Sequence, residues 1–511
     1  MRLPNKPFIC RQCRLQAPRA RFFHASSRLS NSTLSSPEPI PTRPTSGPRP
    51  NIDIKHIRQN PTLHEQNCIE RNYKLQSAHP ARINILHQRW QEQQKEGRHL
   101  RERSNILRRQ IANPATIQGD EEPDVSELEG MSKEQLLEEA RQLKDKLSVI
   151  ERNEATLKAE IEDLALQVPN LTSDQTPRGD EALVLSYIND HPEPRPAESD
   201  RVWRSHVHIG SELGLLDFAG AATASGWGWY YLLDEGAQLE QALINFALSV
   251  ATKYGWRQVT PPSIVYGHIA AACGFQPRDQ NGETQVYALA QSPADRARGK
   301  PELVLAGTAE IPLAGMKADT VMEESDLPVK RIGVSRCYRA EAGARGVDTK
   351  GLYRVHEFNK VEMFAWTEPN MSSTTDIFDE MLDIQTEILE TLGLHCRILE
   401  MPSTDLGASA TRKCDIEAFF PSRRQKDNGW GEVTSVSICT DYQTRRLATR
   451  FKSAGRMIFP WTVNGTALAV PRVLAAVLEN GWDESEMSVK LPECLWEHMG
   501  KESIGLKHRL K

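Results

Sequence analysis

The chain has 511 residues, 39% of them hydrophobic and 26% charged, with a net charge of −5. That length accommodates two or three domains, each able to bury a sizeable core. No run of about 18 apolar residues is present to form a membrane-spanning helix, so no membrane partner is expected.

The N-terminus is set apart by its charge. Residues 1–30 hold Arg2, Lys6, Arg11, Arg14, Arg19, Arg21 and Arg28 and no Asp or Glu, and Ser/Pro-rich sequence follows to about Pro50. Arg-rich, Ser-rich and acid-free describes a mitochondrial transit peptide. Residues 1–45 are therefore expected to be a leader and the mature protein to work in the mitochondrial matrix; a basic, RNA-binding tail is the alternative. Without those seven positive charges the remainder stands at −12 instead of −5, so RNA contact elsewhere needs a local basic patch. Of nine cysteines only Cys10 and Cys13 have metal-like spacing, and they lack a second pair. The others are scattered and are expected to be free buried thiols.

Two long helices are predicted next, over about Arg82–Asn113 and Ser132–Val168. The second carries a heptad: Leu136, Leu143, Ile150, Leu157 and Leu164 recur every seven residues, and the companion positions Ala140, Leu147, Glu154, Ile161 and Val168 are apolar except for Glu154. Such a seam predicts an antiparallel coiled coil, folded back through the Pro- and Gly-bearing stretch from Asn113 to Gly130. The first helix is basic, with Arg82, Arg89, Lys95, Arg98, Arg101, Arg103, Arg108 and Arg109 against Glu92, Glu96 and Glu102; the second is net acidic. A helix pair of this kind serves either oligomerisation or, along its basic edge, RNA binding.

From about residue 195 to 500 β-like and helical stretches alternate, and neither GxGxxG nor a Walker pattern occurs. A bound nucleotide would then be held by side chains, for which the planar fork of arginine is suited. Leu232–Tyr254 reads as an amphipathic helix, followed by a strand from Trp256 to Val259 and by Pro261-Pro262. Thr308-Ala309-Glu310 ends an apolar run. Residues 336–362 read as a hairpin whose strands carry Arg339, Glu341, Arg354, Phe358 and Glu362 around a turn with Gly343, Asp348 and Gly351. A nucleotide grip needs such a set: a guanidinium for phosphate, a carboxylate for an amine, a flat ring for a base. Further on come Glu432-Val433-Thr434-Ser435 and a strand through Asn464-Gly465-Thr466 that leads to Pro471-Arg472 and a helix over Val473–Glu479.

The hairpin resembles motif 2 of the class II aminoacyl-tRNA synthetases, in the form seen in seryl-tRNA synthetases. The helix–strand–proline run resembles motif 1, and Asn464–Arg472 resembles motif 3. Thr308–Glu310 and Glu432–Ser435 are similar to further stretches of that family, in the same order, and the likeness covers about residues 52–500. Gly307 stands where the family often has Pro, Ile438 where it usually has Asn, and Pro471 where it commonly has a smaller residue.

The resemblance implies an α+β fold: a class II antiparallel sheet with flanking helices, preceded by an N-terminal coiled-coil arm. Residues 50–180 would be a tRNA-binding domain whose arm spans about 82–168, residues 195–500 the catalytic domain, and 501–511 a basic tail. It implies ATP and Mg²⁺, activation of serine, transfer to tRNA(Ser), and a homodimer through motif 1. By the same resemblance Arg339 and Arg472 are catalytic, on the α- and γ-phosphates. Thr308, Glu310, Arg339, Glu362 and Thr466 bind serine. Arg339, Ala340, Glu341, Val355, Phe358, Glu432, Val433, Thr434, Ser435 and Arg472 bind ATP, with Glu432 and Ser435 as Mg²⁺ ligands. Two other readings compete: a synthetase-like protein without catalysis, which would have lost the ATP-gripping side chains, and a ligase that loads carrier proteins, which would lack the arm.

Overall fold

The computed structural model describes residues 47–112, 131–189, 204–275, 286–341, 351–424 and 427–505. The expected leader, the turn around Gly343 and Asp348, nearly all of the connection after Asn113 and the end of the basic tail lie outside the described residues.

Two short helices, α1 (Ile54–Gln59) and α2 (Pro61–Glu70), precede the arm, which consists of α3 (His79–Ala112) and α4 (Lys133–Gln167). At 34 and 35 residues each is about 50 Å long. Ser132 opens α4 with a reciprocal capping box to Gln135, which satisfies two of the backbone donors a helix start leaves free. The heptad seam is buried as expected: Leu136, Leu143, Ile150 and Ile161 face Ile83, Leu86 and Leu107. Its one polar position is filled by charge. Glu154 is buried beside Gly97 and accepts Arg101 at 3.1 Å, and a Cβ on Gly97 would meet that carboxylate at 3.0 Å. The small residue and the opposite charge make a carboxylate tolerable inside an apolar seam.

The part of the chain after the arm is built on one main sheet. Its strands are β1 (Leu183–Ile188), β2 (Arg257–Val259), β3 (Val329–Tyr338), β4 (Glu357–Thr367), β5 (Cys396–Glu400), β6 (Arg412–Phe419), β7 (Trp430–Thr440) and β8 (Trp461–Ala469), in the order β1-β5-β6-β7-β8-β4-β3-β2. Neighbours are antiparallel except at one edge, where β2 runs parallel to β3. The sheet is thus antiparallel as expected, with one parallel pair at its edge. A parallel pair needs a long crossover, and the chain between Val259 and Val329 supplies it.

Three helices cover one face: α5 (Glu235–Lys253), α7 (Met371–Thr391) and α9 (Val470–Gly481). They bury Leu239, Leu243, Phe378, Ile384, Val473 and Leu474 against Val361, Met363 and Val436 of the sheet. Full burial of each such side chain contributes about 1.5–3 kcal/mol. Two expected boundaries move. The helix starts at Glu235 because Leu232 pairs with Leu216 as a short strand. The hairpin strands end at Tyr338 and resume at Glu357, so Arg339, Glu341 and Arg354 sit in the connection and not on strands. Pro471 lies in the first turn of α9, where its missing N–H costs nothing. The described cysteines are all free, and six of the seven are buried.

Candidate active site

The sheet face opposite the helices carries the cleft. Strand alternation along β4 sends Val361 and Met363 into the core and Phe358, Lys360 and Glu362 to the other side. Two irregularities then place residues that strict alternation would separate. Between β6 and β7 the register passes from Ile416↔Thr434 to Glu417↔Glu432, leaving Val433 unopposed. Between β8 and β4 it passes from Thr466↔Glu362 to Leu468↔Val361, leaving Ala467 unopposed. Each bulge shifts the phase by one residue. Glu432 and Ser435, three apart, therefore face the same cleft, as do Thr466 and Ala469.

The cleft has two adjoining parts that share Arg339, Lys360, Glu432, Ser435 and Thr466. The larger, about 620 Å³, is also lined by Thr308, Glu310 and Glu362; the smaller, about 80 Å³, by Glu341, Val355, Phe358, Val433, Thr434 and Arg472. The expected residues are thus brought together, except Ala340, which lies in the chain between Arg339 and Glu341 without lining either part.

In the larger part, Glu362 is buried. Its Oε2 accepts the Lys360 ammonium at 2.6 Å and the Thr466 hydroxyl at 3.1 Å, while Lys360 also donates to Thr466 at 3.3 Å. Glu310 opens a short helix, α6 (Glu310–Gly315), and its backbone N–H donates to the Thr308 hydroxyl at 3.2 Å. Burial, reinforced by the neighbouring Glu362, pushes the Glu310 carboxyl up to about 8, against the pull of Lys360, Gln443 and Arg339. The Arg339 Nε donates to the Gly307 carbonyl at 3.5 Å, and a Cβ on Gly307 would crowd the Tyr338 carbonyl at 3.3 Å.

In the smaller part, the Arg339 guanidinium lies over the Phe358 ring at 5.4 Å, and Glu341 pairs with Arg354 at 2.9 Å. Arg472 is aimed by three oxygens: its Nε donates to the Tyr353 carbonyl at 3.1 Å, and Nη1 to the Glu432 carbonyl at 2.9 Å and carboxylate at 3.1 Å. The Tyr353 segment is itself fixed from below. His206 Nε2 accepts the Leu352 N–H at 2.9 Å, so its Nδ1 is the protonated nitrogen and donates to buried Glu479 at 2.8 Å. Glu479 also accepts the Tyr353 hydroxyl at 3.1 Å. Gly351, at φ +78°, is required there: a Cβ would meet the His206 ring at 2.1 Å.

Burial would raise the Glu432 carboxyl, but Arg472, Lys413 and Arg339 outweigh it and hold it down to about 2. A carboxylate whose ionised form is favoured by neighbouring cations, beside a hydroxyl, is a hard-oxygen pair of the kind Mg²⁺ takes. Among the described residues no group of three or more His, Cys, Asp or Glu is assembled for a metal.

Several residues here have no counterpart in the sequence reading. Lys360 follows from the strand alternation that gives Phe358 and Glu362, once the cleft face is known. Lys413, paired at 2.7 Å with buried Asp415 two residues on along the same strand, lines the cleft only once the sheet has formed, and Gln443 reaches Glu310 from 133 residues away.

The model of the tRNA synthetase class II core domain (G, H, P, S and T) matches residues 292–481, and that of the seryl-tRNA synthetase N-terminal domain matches residues 52–172. The mitochondrial serine–tRNA ligase of Saccharomyces cerevisiae is 42% identical over 361 residues, 70% of this chain and 76% of the relative. That of Schizosaccharomyces pombe is 38% identical over 456 residues, 89% of each. The crystal structure of seryl-tRNA synthetase from Pyrococcus horikoshii complexed with ATP superposes with a TM-score of 0.74 at 29% identity, covering 89% of this chain and 99% of that one. With both domains matched in order and the cleft side chains in place, the chain belongs to the seryl-tRNA synthetases.

Proposed function

We propose that this serine–tRNA ligase carries out both of its steps in the one cleft, with serine in the larger part and ATP in the smaller. In the first step a serine carboxylate oxygen bonds to the α-phosphorus of ATP, the bond from that phosphorus to the bridging oxygen breaks, and pyrophosphate leaves with the electron pair. In the second a terminal ribose hydroxyl of tRNA(Ser) attacks the acyl carbon, loses its proton and displaces AMP. Neither step needs a protein nucleophile, so rate comes from alignment and from cations placed where phosphate charge develops.

Arg339, which lines both parts, serves the α-phosphate at their junction; Arg472, fixed by Glu432 and Tyr353, serves the γ-phosphate. Adenine lies against Phe358, with Glu341 and the Val355 backbone at its edge, once Arg339 and Arg354 turn from those groups to the nucleotide. Glu432 and Ser435 would hold Mg²⁺, which offsets phosphate charge when bound. Glu310 and Thr308 take the serine ammonium. Glu362 and Thr466 take its hydroxyl, and Lys360 keeps Glu362 in register. Groups committed to a hydroxyl leave alanine with unpaired buried polar atoms, which rejects it by roughly 10⁴–10⁵.

The buried polar set Lys360–Glu362–Thr466, where the larger part adjoins the smaller, carries this reading, because it offers hydrogen-bonding groups for a small hydroxyl. ATP–pyrophosphate exchange with each amino acid tests it: serine alone should support exchange, and exchange with alanine at comparable kcat/KM would refute it. The arm (residues 82–168, in a domain over 50–180) would take tRNA on its basic edge, and the motif 1 region would pair two copies. The protein works in mitochondria, within the matrix, a reading supported by the acid-free leader and by relatives named as mitochondrial. Loss of import on deleting residues 1–45 tests that placement.

A further inference from the structure

Gln443 lies on α8 (Tyr442–Leu447), a six-residue helix with no amphipathic pattern to announce it. Its side chain is fully buried. Nε2 donates to Glu310 Oε1 at 2.6 Å, and Oε1 accepts the buried Thr462 hydroxyl at 2.6 Å. An apolar residue of the same shape would fill this space without needing two hydrogen-bond partners, so packing alone does not call for an amide.

The helix is clamped on its far side. The Arg446 guanidinium lies 3.3 Å from the Tyr442 ring and donates to the Leu166 and Val168 carbonyls at 3.2 and 3.3 Å, at the root of the arm. Thr444 donates to the Pro460 carbonyl at 2.8 Å. Gln443 therefore cannot drift with the pocket: it is a fixed donor aimed at one oxygen of a carboxylate that lines the cleft.

We propose that Gln443 is a positioning residue for the substrate's ammonium group, fixing one oxygen of Glu310 so that the other meets the incoming amine. This rests on the assignment of Glu310 to the ammonium. The charged and titratable groups around Glu310 are Glu362 and Lys360 on β4, Arg339 beyond β3, and the buried Cys273 and Cys439 thiols. Burial raises that carboxyl and the Gln443 amide opposes the rise, so the donor also favours the ionised form that an ammonium requires.

The test is serine-dependent ATP–pyrophosphate exchange across pH for the full-length protein, its Gln443→Met and Thr462→Val variants, and Glu310→Gln as reference. Gln443→Met should raise the serine KM about tenfold or more, with kcat and the ATP KM within about twofold. The pH at which serine KM improves should move upward, since the opposing donor is gone. Thr462→Val, which frees the Gln443 carbonyl, should shift the same quantities less; it decides the matter if Gln443→Met does not fold. A rise in serine KM with the pH dependence unmoved would mean a packing role and overturn the proposal, as would an unchanged KM. If Glu310→Gln leaves serine KM unchanged, the ammonium assignment itself falls; if Glu310→Gln is impaired while Gln443→Met is normal, only the role of Gln443 falls.

Discussion

The arm and the cleft meet at Asn170, yet they are specified in opposite ways. The arm is made of repetition: one apolar residue every seven, each facing a neighbour near in structure, with the Arg101–Glu154 pair as its single departure. The cleft is made of departures. Bulges at Val433 and Ala467, the polar set Lys360–Glu362–Thr466 and a carboxylate raised by burial all break local rules, and each is sustained by partners far away in the chain. Departures from local consistency concentrate where chemistry is done. The seam between the regions is polar: the Asn170 amide donates to the Ser409 and Cys439 carbonyls, both at 2.9 Å, and Arg446 grips the end of α4.

Substitutions should separate the two regions by what they abolish. Glu362→Ala removes the acceptor for the serine hydroxyl and strands Lys360 in a buried site; serine-dependent exchange should fall by about 10³ or more, with activity near normal counting against the pocket. Arg339→Ala should slow single-turnover adenylate formation by roughly 10²–10³ and alter serine binding less. On the arm, reversing the exposed Arg98, Arg108 and Arg109 to Glu should cut tRNA charging by roughly ten- to a hundredfold at low salt, with the gap narrowing as salt rises, while exchange stays within about twofold. Equal loss of both activities would erase the distinction between arm and cleft.

A smaller effect is expected from pH. Below about pH 8 the unliganded Glu310 holds its proton, which must leave before an ammonium binds; above it the carboxylate is already ionised. Serine KM should therefore fall severalfold as pH rises from about 6.5 towards 8, and a flat profile would contradict the assignment. The smallest effect is at Glu154. Its partner Arg101 is 36% exposed at the side chain and can reach water, so Glu154→Leu should change stability by only about 1 kcal/mol in either direction, read as a Tm shift of a few degrees with exchange unaffected.

The same contrast explains what the sequence disclosed. The arm could be read from spacing because its contacts repeat with the helix period, and its bounds moved by only a few residues. The cleft was read chiefly through motif resemblance: Arg339, Glu362, Glu432 and Arg472 do line one cleft, but Arg339 and Glu341 were expected on strands that end before them. Lys360 was hidden by its ordinary place in an alternating strand. Gln443 was hidden because its partner Glu310 lies 133 residues away, and Lys413 because its pairing with Asp415, two residues on along β6, does not tell which face of the sheet becomes the cleft. The edge strand β2 was read from the sequence, but its parallel pairing with β3 was not, because three residues paired across a long crossover leave no pattern of direction.

The most direct test of the shared cleft is a crystal structure of the protein with a non-hydrolysable seryl-adenylate analogue. The seryl hydroxyl should lie within hydrogen-bond distance of Glu362 and Thr466, the phosphate surrogate against Arg339, and the adenine on Phe358. An analogue bound with its serine end away from Lys360 and Glu362, or its base away from Phe358, would contradict the account.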